Sequence, residues 1–222
     1  TVAAATRRIG LRRSGVRGRS LWLEGRRWVP RGTACDPQSC DLAAMHAAGV
    51  AAVVADPPVS LLAAADESGV AIIAIAEARE GRLLDADGLV ERIGTWAMHP
   101  SVVFTVLPRA FTDAQLAAVA ANARRLKGTM LLAHVVNAAS PPPPELPAGI
   151  DCVCMALEGS SLPHDGWREA APAVPLIAWR REAVNELAGR SGCDRLQATL
   201  AAWGLADGRM HQPWDWAGYL VS

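Results

Sequence analysis

Lysine, tyrosine and phenylalanine are scarce in this 222-residue chain, which has one Lys (Lys127), one Tyr and two Phe against eight Trp. Long apolar runs are absent as well, since none reaches the roughly 18 uncharged residues of a membrane-spanning helix. The N-terminal residues lack the apolar core of a signal peptide. The sequence therefore contains no transmembrane segment of its own, although a chain that begins at Thr1 leaves open a signal or anchor that has been removed.

Several catalytic signatures are also missing. The sequence contains no phosphate-binding P-loop, no serine-hydrolase elbow and no HExxH zinc motif. No second C-x-x-C pair completes a zinc site, and no spacing motif joins His134, Glu158 and His211 as metal ligands. We therefore expect neither a cofactor nor a metal ion.

The five cysteines leave the redox compartment open. Cys35 and Cys40 lie in one loop and can close a small disulfide. Cys152 and Cys154 are two residues apart in an apolar run, so on a strand they face the same side. Cys193 stands alone. The odd count fits either reduced, buried thiols or one bridge with free thiols.

Charge is distributed unevenly although the formal net charge is zero. Residues 1–32 contain nine Arg and one acid, Glu24, while the rest of the chain is acidic by the same margin. A basic arm can bind nucleic acid or anionic lipid, or pair with the acidic body. No aromatic RNA-binding signature accompanies it, so nucleic acid is not the expected partner. We assign residues 1–27 to this arm, with candidate docking residues Arg7, Arg8, Arg12, Arg13, Arg17 and Arg19.

Beyond the arm, short apolar runs alternate with helical patterns. Continuously apolar strands between helices are typical of a parallel sheet buried on both faces, and eight of them indicate a compact α/β fold, a (β/α)8 TIM-like barrel over residues 28–222. A doubly wound open sheet is the alternative, but the Gly-rich phosphate turn expected after its first strand is missing. The predicted strands are 29–33, 50–55, 70–76, 102–107, 130–136, 150–157, 174–179 and 208–212.

The predicted helical shell is incomplete. Helices are expected at 41–48, 60–68, 87–98, 112–127 and 194–203, with a turn or two at 164–171. The segment 137–149 contains four consecutive prolines and cannot be helical, so we predict an extended polyproline crossover there. A thin shell is expected to leave apolar barrel wall exposed, and such walls bind partners.

Short motifs in the first half of the chain occur in a familiar order. They resemble the entry into the TIM barrel of family-2 glycoside hydrolases, the β-galactosidase, β-glucuronidase and β-mannosidase family. The similarity covers residues 6–107, and the remainder is similar by topology only. It implies that residues 1–27 are the edge of a preceding sandwich domain. The motifs lie at Thr6–Arg12, Leu21–Gly32, Met45–Pro58, Ala65-Asp66-Glu67-Ser68-Gly69, Ala76-Glu77 and His99-Pro100-Ser101-Val102.

The resemblance also locates the two carboxylates of glycosidase chemistry. In the family the acid/base is the Glu of an Asn-Glu pair ending the fourth strand, and here that pair falls on Pro108-Arg109. The nucleophile ends the seventh strand, where this chain has Arg180. Supporting residues of the second strand fall on Ala51 and Val54. Arginine does not deprotonate at working pH, so the resemblance implies a barrel that has lost glycosidase chemistry. A two-residue shift to Glu182 would restore one carboxylate only.

Several polar residues lie at predicted strand ends, the barrel face that holds catalytic groups, and Glu77 and Glu158 are two of the acids among them. Glu77 and Glu158 can form a displaced pair, which would make the protein a glycoside hydrolase with relocated carboxylates. Their strands lie roughly across the barrel from each other. We therefore favour salt bridges from these acids to Arg109 and Arg180, which would close the old pocket.

A glycan-binding module is a further alternative, because exposed Trp is typical of carbohydrate and protein interfaces. The candidate contacts are Trp179, Trp214, Asp215 and Trp216.

The leading hypothesis is a non-catalytic glycosidase-like barrel that serves as a structural or accessory subunit of a larger protein assembly. Its expected partners are other protein subunits, reached through the basic arm. We favour an extracytoplasmic location, with membrane association through partners, over a cytoplasmic one.

Overall fold

Eight parallel strands close into a barrel in this computed structural model, which describes residues 12–76, 86–126, 130–169, 173–181, 189–205 and 216–222. Each strand pairs with the next along the chain, and the last pairs with the first. The predicted α/β barrel is thus confirmed, and the open-sheet alternative is wrong. The barrel strands are β4 (Arg31–Ala34), β5 (Ala51–Ala55), β6 (Ile72–Ile75), β7 (Val102–Val106), β8 (Leu131–Asn137), β9 (Cys152–Glu158), β10 (Leu176–Arg181) and β11 (Trp216–Val221).

The eighth barrel strand is β11, not the predicted 208–212, which lies outside the described residues. All six residues of β11 are buried. A continuously apolar run is the pattern of a parallel strand covered on both faces, and Trp216–Val221 fits it better than the earlier segment. Trp216, a candidate glycan or partner contact from the sequence, is the first residue of this strand.

Six helices surround the barrel in the described part of the chain. Asp41 caps α1, accepting a hydrogen bond from the Ala44 N–H at 2.9 Å. Gly49 and Gly69 end the first two helices with φ of 64° and 74°, a conformation that glycine adopts without strain. The helices are α1 (Leu42–Ala48), α2 (Val59–Ser68), α3 (Ala86–Ala97), α4 (Asp113–Leu126), α5 (Gly166–Glu169) and α6 (Gly189–Leu205).

The proline-rich segment between β8 and β9 contains no helix, as predicted. The outward residues Val153, Met155 and Leu157 of β9 are nevertheless fully buried. Leu146 from the proline-rich segment and Trp167 from α5 pack in the same cluster. The Trp167 indole N–H also donates to the Ser140 carbonyl at 2.8 Å. The expectation of an exposed apolar wall is therefore wrong where the helix between β8 and β9 is missing, because the proline-rich segment covers the wall there.

Residues ahead of the barrel form a small antiparallel sheet in the order β1-β2-β3 (Ser14–Arg17, Ser20–Leu23, Arg26–Trp28). Leu21 is 1% exposed and belongs to the buried cluster of the barrel interior, together with Val103 and Leu131. These two residues lie at or near the N-terminal ends of their strands. The sheet therefore closes the N-terminal end of the barrel. The predicted boundary of the arm at residue 27 stays a prediction.

Two motifs that carried the family resemblance meet at this same end. The Asp66 carboxylate lies 2.7 Å from the His99 Nδ1 and accepts from the Ser101 N–H at 2.8 Å. Arg12 donates to the Gly69 carbonyl at 2.9 Å. Burial lowers the pKa of Arg12, while the Glu24 and Asp66 carboxylates act to raise it. These contacts join α2, the turn before β7 and Arg12, which precedes β1, so the role of the two motifs is structural.

The cysteines divide into one bridge and three buried thiols. Cys35 and Cys40 form a disulfide, with Cα atoms 5.4 Å apart. Cys152 and Cys154 both face the barrel interior, which confirms the predicted shared side. Burial raises the pKa of Cys154 to about 12 and, with smaller opposing contributions from Arg31 and other neighbours, that of Cys193 to about 11. These thiols are protonated packing groups at neutral pH.

Candidate functional site

A cleft of about 260 Å³ opens at the C-terminal ends of the barrel strands. This is the face on which barrel enzymes build their sites. Trp179 lines it, and the exposed side chains of Arg109 and Arg181 stand among its lining residues. The remaining lining side chains are apolar, and half of them come from interior positions of four strands, namely Ile75, Val106, Val135 and Ala156.

Arg181 reaches the cleft because β10 alternates between two faces. Ile177 and Trp179 belong to the interior cluster, so Arg181, two residues further on, shares their side. Its guanidinium carbon lies 5.1 Å from the centroid of the Trp179 ring. Trp179 is 3% exposed, and its indole N–H donates to the Ser222 hydroxyl at 2.6 Å. The indole is therefore fixed in place and presents its ring to the cleft.

The predicted residue Arg180 lies on the other face of β10 and is not among the cleft residues. Its side chain donates to the Ser161 carbonyl at 3.2 Å. The neighbouring Ala178 belongs to the outer cluster, which fixes this orientation. The cleft residue on β10 is therefore Arg181, the neighbour of the arginine that the resemblance implies. Both faces of β10 are apolar, so no alternation marked the interior side, and only the offset from Trp179 could have indicated Arg181.

Arg109 lies where the sequence placed it, in the turn after β7 and beside the buried Pro108. Glu158 ends β9 and is exposed. It is the Cα partner of Arg181 in the β9–β10 ladder, but it forms no ion pair with a described residue. The salt bridges expected from Glu158 are therefore not found. Glu77, the other fallback acid, lies outside the described residues, as does Glu182.

Of the two described tryptophans expected to form a platform, only Trp179 lines the cleft. Trp216 begins β11, so it lies at the opposite end of the strand from the cleft. It is 7% exposed and packs against Trp203, with ring centroids 6.5 Å apart. The expectation of an exposed contact is wrong for Trp216, because its ring fills the space between β11 and α6. Trp214 and Asp215 lie outside the described residues.

Other polar residues near strand ends have structural partners or poor positions. Asp56, after β5, pairs with Arg92 of α3. His134 faces outward from β8, and burial lowers its pKa despite the opposing charge of Asp113. The described residues contain no group of three His, Cys, Asp or Glu side chains placed to hold a metal ion. In the same part of the chain, no helix has the length and apolar character needed to cross a membrane.

A second charged surface lies on the sheet at the opposite end. Residues 12–28 contain six Arg and one acid, Glu24. Arg13, Arg17 and Arg19 are exposed, and the Arg17 guanidinium carbon lies 4.5 Å from the Trp22 ring centroid. We call these three exposed arginines the basic sheet surface. Arg7 and Arg8 lie outside the described residues.

Comparison with solved structures identifies the fold. The β-D-glucuronidase of Dictyoglomus thermophilum aligns with a TM-score of 0.59 and 14% identity, over 96% of this chain and 47% of that one. A GH2 β-galacturonidase of Eisenbergiella tayi bound to galacturonate gives 0.64 and 12%, over 96% and 46%. A putative β-galactosidase of Bacteroides fragilis gives 0.60 and 13%, over 96% and 39%. The chain has the barrel fold of these glycosidases.

The similarity is one of fold rather than sequence. No protein-family model matches the chain, and no curated protein is significantly similar to it. The chain spans less than half the length of each of these three solved structures. The fold expected from the sequence motifs is confirmed, while the replacement of both catalytic carboxylates stays a prediction.

Proposed function

We propose that this chain is a glycosidase-like barrel without glycosidase chemistry, which serves as an accessory subunit of a larger protein assembly. The observation that carries the proposal is the cleft lining: its charged side chains are Arg109 and Arg181, and none of the described lining residues is a carboxylate. Glycoside hydrolysis usually needs two carboxyl groups flanking the bond, about 5 Å apart for retention. Two guanidinium groups carry the opposite charge and do not exchange protons at neutral pH.

The assembly part of the proposal rests on the basic sheet surface. Arg13, Arg17 and Arg19 are exposed on a sheet that the barrel holds by its buried Leu21. A surface of predominantly positive charge favours a partner of the opposite charge through faster encounter and rejection of wrong partners. The expected partner is therefore an acidic protein surface. Exposed barrel wall adds no support, because the proline-rich segment covers the gap in the helical shell.

Hydrolysis of aryl β-glycosides tests the catalytic half. We expect 4-nitrophenyl β-D-galactoside, β-D-glucuronide, β-D-galacturonide and β-D-mannoside to release nitrophenol no faster than in buffer. Turnover that disappears in Glu77→Gln or Glu158→Gln, but not in the exposed control Glu67→Gln on α2, would establish relocated carboxylates instead.

Purification from the native source under mild conditions tests the assembly half. Size-exclusion chromatography with mass spectrometry should find the chain in a stable complex that contains an acidic subunit. The double variant Arg17→Glu/Arg19→Glu should leave the complex, whereas Arg125→Glu, at an exposed position on α4, should stay in it. A lone monomer, or a complex indifferent to the double variant, would contradict the proposal.

We also propose an extracytoplasmic location, supported by the Cys35–Cys40 disulfide, because such bonds persist in oxidising compartments. Alkylation during lysis of native cells should leave Cys35 and Cys40 unmodified until a reductant is added. Their immediate labelling would place the protein in a reducing compartment.

A further inference from the structure

We infer that the cleft at the strand C-termini binds a small organic anion with an apolar body, a carboxylate or a phosphate monoester. This inference goes beyond the accessory role proposed above and does not depend on it, since it concerns the opposite end of the barrel from the basic sheet surface. It rests on three features of the cleft: its charge, the chemistry of its lining and its size.

The charge favours an anion. Arg109 follows β7 and Arg181 ends β10, so the two cations lie three strands apart around the cleft. Both side chains are exposed, and no carboxylate occurs in the described lining. Guanidinium groups donate forked hydrogen bonds that match the oxygens of a carboxylate or phosphate. Two of them around one opening supply both the charge and the donors that such a group needs.

The lining favours an apolar body over a sugar. Apart from the two arginines, the described side chains that face the cleft are aliphatic or belong to Trp179, whose N–H is already bonded to Ser222. Arginine has donors but no acceptor. The hydroxyl groups of a pyranose would therefore lose water without finding side-chain acceptors, which costs binding free energy. A hydrocarbon or aromatic body against Ile75, Val106 and the Trp179 ring avoids this loss.

The size favours a single ring. The cleft volume of about 260 Å³ lies just below the range of about 300–1,000 Å³ that is typical of sites for drug-sized ligands. A phenyl or short alkyl group with one anionic head fits this volume.

Glu158 is the described acid that opposes this site. It is exposed and is the ladder partner of Arg181, so its charge lowers the positive potential there without neutralising it through a bond. Removing that charge should leave anion binding unchanged or strengthen it.

Calorimetric titration of the full chain tests the inference with defined probes. We expect 4-phenylbutyrate, phenyl phosphate or both to bind, and to bind more weakly as salt is raised, because exposed charges are screened. The neutral isostere 4-phenylbutyramide should bind at least tenfold more weakly. Failure of both anions to bind, or equal binding of the amide, would overturn the inference without any variant, and neither result bears on the accessory role.

Variants then locate the site. Arg109→Gln/Arg181→Gln should weaken binding of the anion at least tenfold, while the exposed control Arg125→Gln should bind like the wild type. Circular dichroism checks that each variant is folded. Unchanged affinity in the double variant, or weaker binding in Glu158→Gln, would overturn the assignment, since the latter would mean that the ligand is held by an acceptor.

Discussion

The two ends of the barrel use their charged residues in different ways. At the N-terminal end, Asp66 is bonded to His99 and to the Ser101 backbone, and Arg12 donates to the Gly69 carbonyl. At the C-terminal end, Arg109 and Arg181 are exposed beside an apolar cleft. The charged side chains at the N-terminal end bond helices and strands to one another, whereas the two arginines at the C-terminal end are exposed at the mouth of the cleft.

What the chain shares with the solved glycosidases is its fold. The motifs at residues 65–69 and 99–102 follow the family pattern, and the structure shows that they hold the fold. At the cleft, the charged side chains of the described lining are those of Arg109 and Arg181. The shared barrel fold alone does not determine the chemistry at the open end.

The largest expected loss of stability comes from a substitution at the N-terminal end of the barrel, which the small sheet closes. Leu21→Ala removes a side chain that is 1% exposed in the barrel interior, so it should lower the free energy of unfolding by about 2–5 kcal/mol. Urea denaturation measures this. The matched change Leu162→Ala, at a residue 45% exposed in the loop after β9, should alter stability by less than about 0.5 kcal/mol. Equal losses would mean that the sheet does not close the barrel as described.

Asp66→Asn should have the next largest effect. It weakens the contact with the His99 ring and the bond from the Ser101 N–H, so we expect a loss of about 1–3 kcal/mol in the free energy of unfolding. Asp165→Asn is the control, because that carboxylate is 81% exposed and its pair with Arg168 is worth little. An unchanged free energy of unfolding in Asp66→Asn would show that the two motifs are not joined through this carboxylate.

His134, which lies within β8 between the two ends of the barrel, should have a smaller effect on the free energy of unfolding, and that effect should depend on pH. Burial lowers its pKa in the folded state, so the unfolded chain binds the proton more tightly. Stability should therefore be lost as the pH falls below the unfolded value of about 6.5. Comparing unfolding free energies at pH 7.5 and 5.5, His134→Gln should lose less stability than the wild type. An equal loss would show that other groups account for the acid sensitivity.

The smallest effect on stability should come from the open end. Arg109→Gln and Arg181→Gln replace exposed side chains, so each should change the free energy of unfolding by no more than about 0.5 kcal/mol. Thermal unfolding with Arg125→Gln as control measures this. A loss of 2 kcal/mol or more, on the order expected for a core change, would show that these arginines support the fold rather than a ligand.

The sequence predicted the fold more reliably than the site, for a physical reason. Continuously apolar strands identify a buried parallel sheet, and Gly49 and Gly69 mark helix ends by their backbone freedom. The same continuous burial hides which face of β10 points inward, so the sequence alone does not show that Arg181 rather than Arg180 lies at the cleft. The role of Trp167 and Leu146 in covering β9 depends on contacts between residues distant in sequence. The three short strands β1–β3 are not predicted, because the arginine-rich composition of residues 12–28 hides the strand pattern.

Covalent trapping tests the central claim most directly, namely that the open end of this barrel lacks glycosidase chemistry. A 2-deoxy-2-fluoro glycosyl fluoride traps a retaining glycosidase as its glycosyl-enzyme, even when turnover is very slow. After incubation with the β-glucuronyl and β-galactosyl reagents, intact-mass measurement should find the unmodified mass of the chain. A stoichiometric increase of one fluorosugar, mapped to Glu77, Glu158 or Glu182, would contradict the account.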